Sequence, residues 1–159
     1  MAEHIHINAT TKAEKYKQLY PQVKALLEGE KDLIANMANM CSALKFGMNF
    51  FWVGFYLVKN EELVLGPFQG TVACTRIAKG KGVCGKAWEL NDIIIVDDVD
   101  QFPGHIACSS LSKSEIVIPV RDSNKNIIAI FDVDSDEYSS FDRTDEEWLK
   151  KIVELIPTF

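Results

Sequence analysis

The spacing of apolar and polar positions predicts alternating groups of helices and strands. Apolar residues recur every three or four positions in the predicted helices, which cover 11–28, 31–46, 83–90 and a last segment starting near Thr144. Stretches rich in aromatic and β-branched residues predict strands at 50–58, 61–65, 72–78, 93–96, 115–120 and 127–134. Most strand connections are short, which favours an antiparallel sheet flanked by helices and therefore the α+β class.

Local signals mark the ends of the predicted helices. Thr11 and Glu14 have the spacing of a capping box at the start of the first helix, and Thr144 and Glu147 repeat that spacing before the last one. Pro21 lacks a backbone N–H and is expected to kink or break the first helix. A loop without a regular pattern covers 97–111, which is longer than a packed domain usually carries without a function.

Length and charge limit the classes of function. The 159 residues, of which 47% are apolar and 25% charged, predict a single globular domain over 1–159. The net charge of −6 would repel phosphate backbones and anionic lipid, so neither nucleic acid nor a membrane is an expected partner. No apolar run approaches the roughly 20 residues that span a bilayer, and no secretory signal is visible. We therefore expect a cytoplasmic protein.

The strand at 50–58 presents two different faces. One face is entirely apolar and is expected to pack against the helices. The other carries Trp52 and Tyr56 on either side of Gly54, where a gap between the rings could hold a small ligand. Simple packing of aromatic rings on a sheet would produce the same pattern.

Three carboxylates in the last two strands are candidates for acid chemistry. Asp132 and Asp134 are expected to share a face with Ile128 and Ile130, and Glu115 opens the preceding strand. If the three converge, their repulsion should raise at least one pKa, and a protonated carboxyl could then act as an acid near neutral pH. Alternatively, all three lie at solvated strand ends.

The cysteines fall into two groups. Cys74, Cys84 and Cys108 lie in polar stretches that contain glycine or serine, whereas Cys41 lies in an apolar helical stripe. In the cytoplasm a disulfide is usually transient and catalytic, so the first three are candidates for redox chemistry. Cys84 begins a short helix, which predicts a lowered thiol pKa. The alternative is that each is an inert small side chain.

The sequence motifs give little support for a metal site or a cofactor. His105 and Cys108 have a His-x-x-Cys spacing, which is compatible with a zinc site. Because no Cys-x-x-Cys pair accompanies this spacing, we predict no metal site. His105 could also serve as a base for Cys108. No phosphate-binding loop, dinucleotide fingerprint or nucleophile elbow is present, so no cofactor is expected.

Five segments form a joint pattern over nearly the whole chain. They are KAEKYKQLYPQVKALLEGE, NFFWVGFYLV, GPFQGTVACTRIAKGKGVCGKAW, VDQFPGHIACSSLSKSEIVIPV and FDVDSDEYSSFD. Together they resemble the free methionine-(R)-sulfoxide reductases, which are stand-alone GAF-domain enzymes. The resemblance implies a six-stranded antiparallel sheet flanked by helices. It also implies reduction of the R epimer of free methionine sulfoxide, with little action on the residue inside proteins.

The same resemblance implies roles for the cysteines. Cys108 corresponds to the cysteine that attacks the sulfoxide, and Cys74 and Cys84 correspond to those that resolve the resulting sulfenic acid as a disulfide. The position of Cys84 is the alternative for the attacking cysteine, so the nucleophile stays open between the two. Thioredoxin is the implied reductant, and a homodimer is the implied assembly.

The resemblance also assigns the pocket. Trp52 and Tyr56 correspond to its aromatic residues, and Glu115, Asp132 and Asp134 correspond to the acids around the substrate, one of which would donate a proton. The competing hypothesis is a non-catalytic sensor, because GAF domains commonly bind small ligands and signal to an output domain.

Overall fold

The computed structural model describes residues 4–106 and 108–156. The predicted domain over 1–159 therefore includes positions 1–3, 107 and 157–159, which lie outside the described residues. The helices are α1 (Lys12–Leu27), α2 (Leu33–Met48), α3 (Gly82–Leu90) and α4 (Arg143–Val153). The strands are β1 (Trp52–Lys59), β2 (Glu62–Gln69), β3 (Arg76–Ala78), β4 (Ile94–Val96), β5 (Ser114–Arg121) and β6 (Ile127–Ser135).

The six strands form one antiparallel sheet in the order β3-β2-β1-β6-β5-β4. The predicted α+β class and the predicted six-stranded antiparallel sheet flanked by helices are confirmed. A two-residue turn joins β1 to β2, and both of its residues, Asn60 and Glu61, have positive φ. The backbone of such a turn follows the natural twist of a hairpin. The two strands can therefore pair immediately on either side of the turn. The strands that carry the candidate acids and aromatic rings, β5, β6 and β1, are neighbours in the middle of this sheet.

The two faces of the sheet bury different sets of side chains. The face predicted to be apolar packs Val53, Phe55 and Leu57 against buried residues of α1, α2 and α4. The opposite face carries Trp52 and Tyr56 in a second cluster that includes residues of α3. Burial of apolar side chains on both faces stabilises the sheet. The helix that covers the face with Trp52 and Tyr56 is α3.

Several boundaries differ from the sequence prediction. Pro21 lies inside α1 and does not break it, because it sits on the exposed side while a buried stripe holds the helix against α2 and α4. The cap of α4 is Asp142, whose side chain and that of Asp145 form the capping box, so the predicted Thr144–Glu147 box is wrong by two residues. Ile128 is the extra residue of a bulge and packs on the helical face rather than beside Asp132.

The strand predicted near 72–78 is shorter than expected. Only Arg76–Ala78 pairs with β2, so Cys74 lies in the connection between β2 and β3 and not within a strand as the predicted range 72–78 implies. By contrast β2 continues through Gly66 and Pro67 to Gln69, past the predicted end at Leu65. No helix in the described parts of the chain is long and apolar enough to cross a bilayer.

Candidate active site

A small cavity on the α3 side of the sheet collects most of the predicted site residues. Its volume is about 40 Å³. The lining residues that the sequence singled out are Trp52, Tyr56, Cys108, Glu115, Asp132 and Asp134. They come from β1, β5, β6 and the loop before β5, which are far apart along the chain. The fold therefore brings aromatic rings, acids and a sulfur together at one point.

Strand register explains how the three acids meet. Asp134 of β6 lies opposite Glu115 on one side and Trp52 on the other. Asp132, two residues earlier on the same face, lies opposite Gly54. Cross-strand neighbours on one face have Cβ atoms about 5 Å apart, so the acids form a compact group beside the indole.

The acids are removed from water, and among the described residues no ion pair includes them. Glu115 and Asp132 are each 6% exposed, and Asp134 is partly buried. Burial and the neighbouring carboxylates raise the pKa of Glu115 and of Asp132 well above the usual range. Burial raises the pKa of Asp134 to about 6. The group can therefore hold protons near neutral pH, as predicted for convergent acids.

The indole of Trp52 lies flat on the sheet. Its Nε1 donates to the carbonyl of Thr71 at 3.0 Å, and its ring stacks on Phe68 with centroids 5.4 Å apart and on Tyr56 at 6.2 Å. A Cβ at Gly54 would overlap this ring. The expected gap between Trp52 and Tyr56 is therefore filled by the indole itself, and the cavity lies beside the rings.

Cys74 and Cys108 form a disulfide that bridges 34 residues, with Cα atoms 5.2 Å apart. The bond ties the connection between β2 and β3 to the loop before β5. Both cysteines are partly buried, and Cys108 reaches the cavity lining. Two of the three polar-segment cysteines are thus brought together beside the acids.

Cys84 lies behind the acids, in the first turn of α3. It is a free cysteine, 4% exposed, and its Sγ donates to Glu115 Oε1 at 3.8 Å. Burial raises the pKa of this thiol well above its ordinary value, and the nearby Asp132 and Glu115 add to the effect. The predicted lowering by the helix N-terminus is wrong, because desolvation and negative neighbours outweigh the helix dipole. Its Sγ and carboxylate oxygens of Glu115 and Asp132 lie within 4.8 Å of one another, a set that could hold a metal ion.

Sequence reasoning did not single out several other residues of the site. Ser112 lines the cavity and hydrogen-bonds Asp134, an interaction that lowers the carboxyl pKa against the effect of burial. Thr71 and Val72 line the cavity from the β2–β3 connection. Ser112, Thr71 and Val72 lie in irregular loops, where spacing carries no signal about direction. His105, which the sequence did single out as a possible base or zinc ligand, also lines the cavity, and burial lowers its pKa.

Comparison with known proteins gives a consistent family. A GAF domain model matches residues 30–157. A Dictyostelium discoideum protein, GAF domain-containing protein A, is 58% identical over 157 residues, which cover 98% of this chain and 99% of the relative. The free methionine-R-sulfoxide reductase of Escherichia coli is 43% identical over 143 residues, 89% of this chain and 86% of the relative.

A solved structure agrees with these relatives. The free methionine-R-sulfoxide reductase from Neisseria meningitidis, determined in complex with its substrate, superimposes with a TM-score of 0.94 at 46% identity, over 98% of this chain and 93% of the other. The superposition covers nearly the whole of both chains, so the likeness extends well beyond a single segment. The chain belongs to the free methionine-(R)-sulfoxide reductase family of GAF-domain proteins.

Proposed function

We propose that this protein reduces the R epimer of free methionine sulfoxide to methionine with its own cysteine thiols. The observation that carries the proposal is the Cys74–Cys108 disulfide at the edge of a cavity lined by three acids. Binding of a small ligand by a sensor requires only a pocket, whereas a thiol-dependent reductase requires a cysteine pair and proton donors at the same place. Relatives named as this reductase, at 37–43% identity, support the same choice.

The proposed reaction starts with the Cys108 thiolate attacking the sulfoxide sulfur. The sulfoxide oxygen is transferred to Cys108, which becomes a sulfenic acid, and methionine leaves. The Cys74 thiol then attacks Cys108, the oxygen departs as water, and the disulfide forms. The position of Cys108 on the cavity lining supports it over Cys84, whose sulfur lies behind Glu115 with a raised pKa.

Protons for the departing oxygen come, in this proposal, from the acid group. Glu115, Asp132 and Asp134 have raised pKa values, so neutral carboxyls are present at working pH. A neutral acid also avoids a conflict, because ionised carboxylates would repel the thiolate of Cys108. A remaining carboxylate would bind the substrate ammonium, and Trp52 and Tyr56 would contact its methyl end.

The disulfide restricts the site in the oxidised form. It ties the loop carrying Cys108 to the connection between β2 and β3, and Cys108 reaches the cavity lining. We propose that reduction of the disulfide releases the loop carrying Cys108, and that the enlarged pocket then admits free methionine sulfoxide but not a residue within a chain.

Thioredoxin is the proposed reductant, since a dithiol protein can exchange with the Cys74–Cys108 disulfide and return both thiols. A homodimer and a cytoplasmic location belong to the same proposal. Thioredoxin binding would require access to the disulfide, and the partial exposure of both cysteines is compatible with that access.

The test is a thioredoxin-coupled assay of NADPH consumption with the separated R and S epimers of free methionine sulfoxide, and with a peptide-bound form. We expect consumption with the free R epimer alone. Cys108→Ser should abolish turnover, while Cys41→Ser should retain it, because Cys41 is buried on the helical side and its replacement hydroxyl can still donate to the carbonyl of Pro67. Consumption with none of the three substrates would favour the sensor hypothesis.

A further inference from the structure

Cys84 has no necessary part in the proposed reaction, yet it lies against two of the acids. We propose that Cys84, Glu115 and Asp132 bind one thiophilic divalent cation, such as Zn²⁺, and that the bound ion inhibits the enzyme. The binding claim stands on the structure alone. The inhibition claim rests on the proposed function, because it requires these acids to supply protons.

The donor atoms already have the separation that a metal ion needs. Cys84 Sγ and Glu115 Oε1 are 3.8 Å apart, and all three donor atoms lie within 4.8 Å of one another. A tetrahedral zinc ion with Zn–S near 2.3 Å and Zn–O near 2.1 Å holds its sulfur and oxygen ligands roughly 3.6 Å apart. Only small rotations of the side chains would therefore complete the coordination.

Asp132 supplies an independent indication of a ligand. Its carboxyl is 6% exposed, and its Oδ1 is fully buried without a hydrogen-bond partner in the described part of the chain. An unpaired polar atom in this setting costs about 1–3 kcal/mol, so most buried polar atoms in proteins find a partner. A cation between Asp132 and Cys84 would give Oδ1 that partner.

The identity of the donors favours zinc over magnesium or calcium. One thiolate and two carboxylates suit a borderline or soft cation, whereas Mg²⁺ and Ca²⁺ prefer oxygen ligands alone. Binding would release the protons of the thiol and the carboxyls to solvent, and the dication would offset two of the three negative charges that remain. Burial disfavours the charged forms of these groups, and the charge of the bound ion would offset that cost.

The fourth coordination position would open toward the substrate. Glu115 and Asp132 both line the cavity, while Cys84 approaches from the α3 side. Three protein ligands and one open position are typical of sites where a water or a small molecule completes the tetrahedron. An ion here would occupy the proton donors and the space for the sulfoxide oxygen, so metal and substrate should compete.

The test uses Co²⁺ as a spectroscopic probe for the zinc site, with the protein in its Cys74–Cys108 disulfide form. Only Cys41 and Cys84 are then free thiols among the described cysteines. We expect one Co²⁺ per chain, a thiolate-to-metal charge-transfer band, and displacement of that band by Zn²⁺. The band excludes adventitious binding by His4 or His6, which have no sulfur.

Variants of the two free cysteines show which thiol binds the metal ion. Cys84→Ser should remove the band and weaken Zn²⁺ binding by roughly 100-fold or more, since even residues that only orient a ligand are worth about 10–100-fold in affinity. Asp132→Asn should retain a weaker band, and Cys41→Ser should bind as the unchanged protein does. A missing band in the unchanged protein, or an equal band in Cys84→Ser, would overturn the proposal.

Activity provides a separate outcome. Zn²⁺ added to the thioredoxin-coupled assay should raise the apparent KM for methionine sulfoxide, and a chelator should reverse the effect. If Co²⁺ binds through Cys84 but no substrate is reduced, the proposed function fails and the metal site stands. If the enzyme is active and neither Co²⁺ nor Zn²⁺ binds through Cys84, the metal site fails and the proposed function stands.

Discussion

Two groups of carboxylates in this molecule have opposite surroundings. Asp142 and Asp145, at the start of α4, share the ammonium of Lys12, and the hydroxyl of Tyr16 donates to Asp145 at 2.7 Å. Asp145 is buried and Asp142 is exposed. Glu115 and Asp132 are nearly as buried as Asp145, and Asp134 is partly buried, but these three acids have no cation among the described ion pairs. We call the first the paired group and the second the unpaired group.

The difference appears in the pKa of Asp142 and in those of the unpaired group. The hydrogen bond from Lys12 lowers the pKa of Asp142, whereas burial raises the pKa of all three acids in the unpaired group. A paired carboxylate stays ionised and stabilises the fold, as a helix cap and an ion pair require. Unpaired buried acids destabilise the fold when ionised, and such groups cluster at functional sites. The comparison therefore separates structural acids from candidate catalytic ones.

The largest expected effect comes from Asp132→Asn in the unpaired group. Removal of a proton donor should lower kcat by about 10²–10⁴-fold. The same change removes the free-energy cost of protonating or burying this carboxyl in the folded state, so it should raise the free energy of unfolding by about 1 kcal/mol. Coupled kinetics and denaturant unfolding of the same sample measure both quantities. A variant that is less stable and fully active would mean that Asp132 is structural.

The next largest effect is expected in the paired group. Asp145→Ala removes the partner of Lys12 and Tyr16 and breaks the capping box of α4. Breaking a fully buried ion pair costs about 3–5 kcal/mol, and since Lys12 is 35% exposed we expect about 2–3 kcal/mol. Denaturant unfolding measures this loss. At a temperature where the variant is folded, kcat should be unchanged, and a large fall in kcat would contradict the separation of the two groups.

The smallest expected effect is a pH dependence of stability, which should have opposite signs in the unpaired and the paired group. The pKa of Asp134 is raised from 3.8 to about 6, so its protonated form favours the folded state. Its contribution is present below pH 4 and is lost as pH rises through about 6. Relative to Asp134→Asn, the unchanged protein should lose about 1–2 kcal/mol between pH 4 and pH 7 in buffer with a chelator.

Asp142 provides the matched control, because its pKa is lowered by Lys12. Its contribution to stability is present above the ordinary aspartate pKa of 3.8 and is lost as pH falls below it. Relative to Asp142→Asn, the unchanged protein should therefore gain stability as pH rises from 2 to 5. If stability changed with pH in the same direction for Asp134 and for Asp142, each measured against its Asn variant, the distinction between the two groups would fail.

Regular patterns predicted the parts of the molecule that depend on regular structure. Alternation along β1 separated the face of Phe55 from that of Trp52, and the same alternation placed Asp132 and Asp134 together. Register between strands then aligned Glu115 with Asp134, which sequence spacing alone could not establish. Alternation failed at Ile128, where an extra residue forms a bulge.

Tertiary surroundings decided the features that the sequence could not predict. A helix start at Cys84 is visible in the sequence, but its burial against Glu115 and Asp132 depends on β5 and β6, and this burial reversed the expected shift of the thiol pKa. Spacing predicted Thr144 with Glu147 as the capping box of α4, and Asp142 with Asp145, which have the same spacing, were not singled out. Contact of Asp145 with Lys12 and Tyr16, more than 100 residues away, favours the pair that includes Asp145.

The disulfide has a kinetic consequence. In the oxidised chain the sulfur of Cys108 is bonded to Cys74, so in the proposed reaction a second sulfoxide cannot be reduced until a dithiol has opened that bond. The sulfoxide and the dithiol would then react with the enzyme in turn, which is ping-pong behaviour with parallel lines in double-reciprocal plots. Under oxidative load the supply of reducing equivalents, rather than the concentration of methionine sulfoxide, would set the rate of repair.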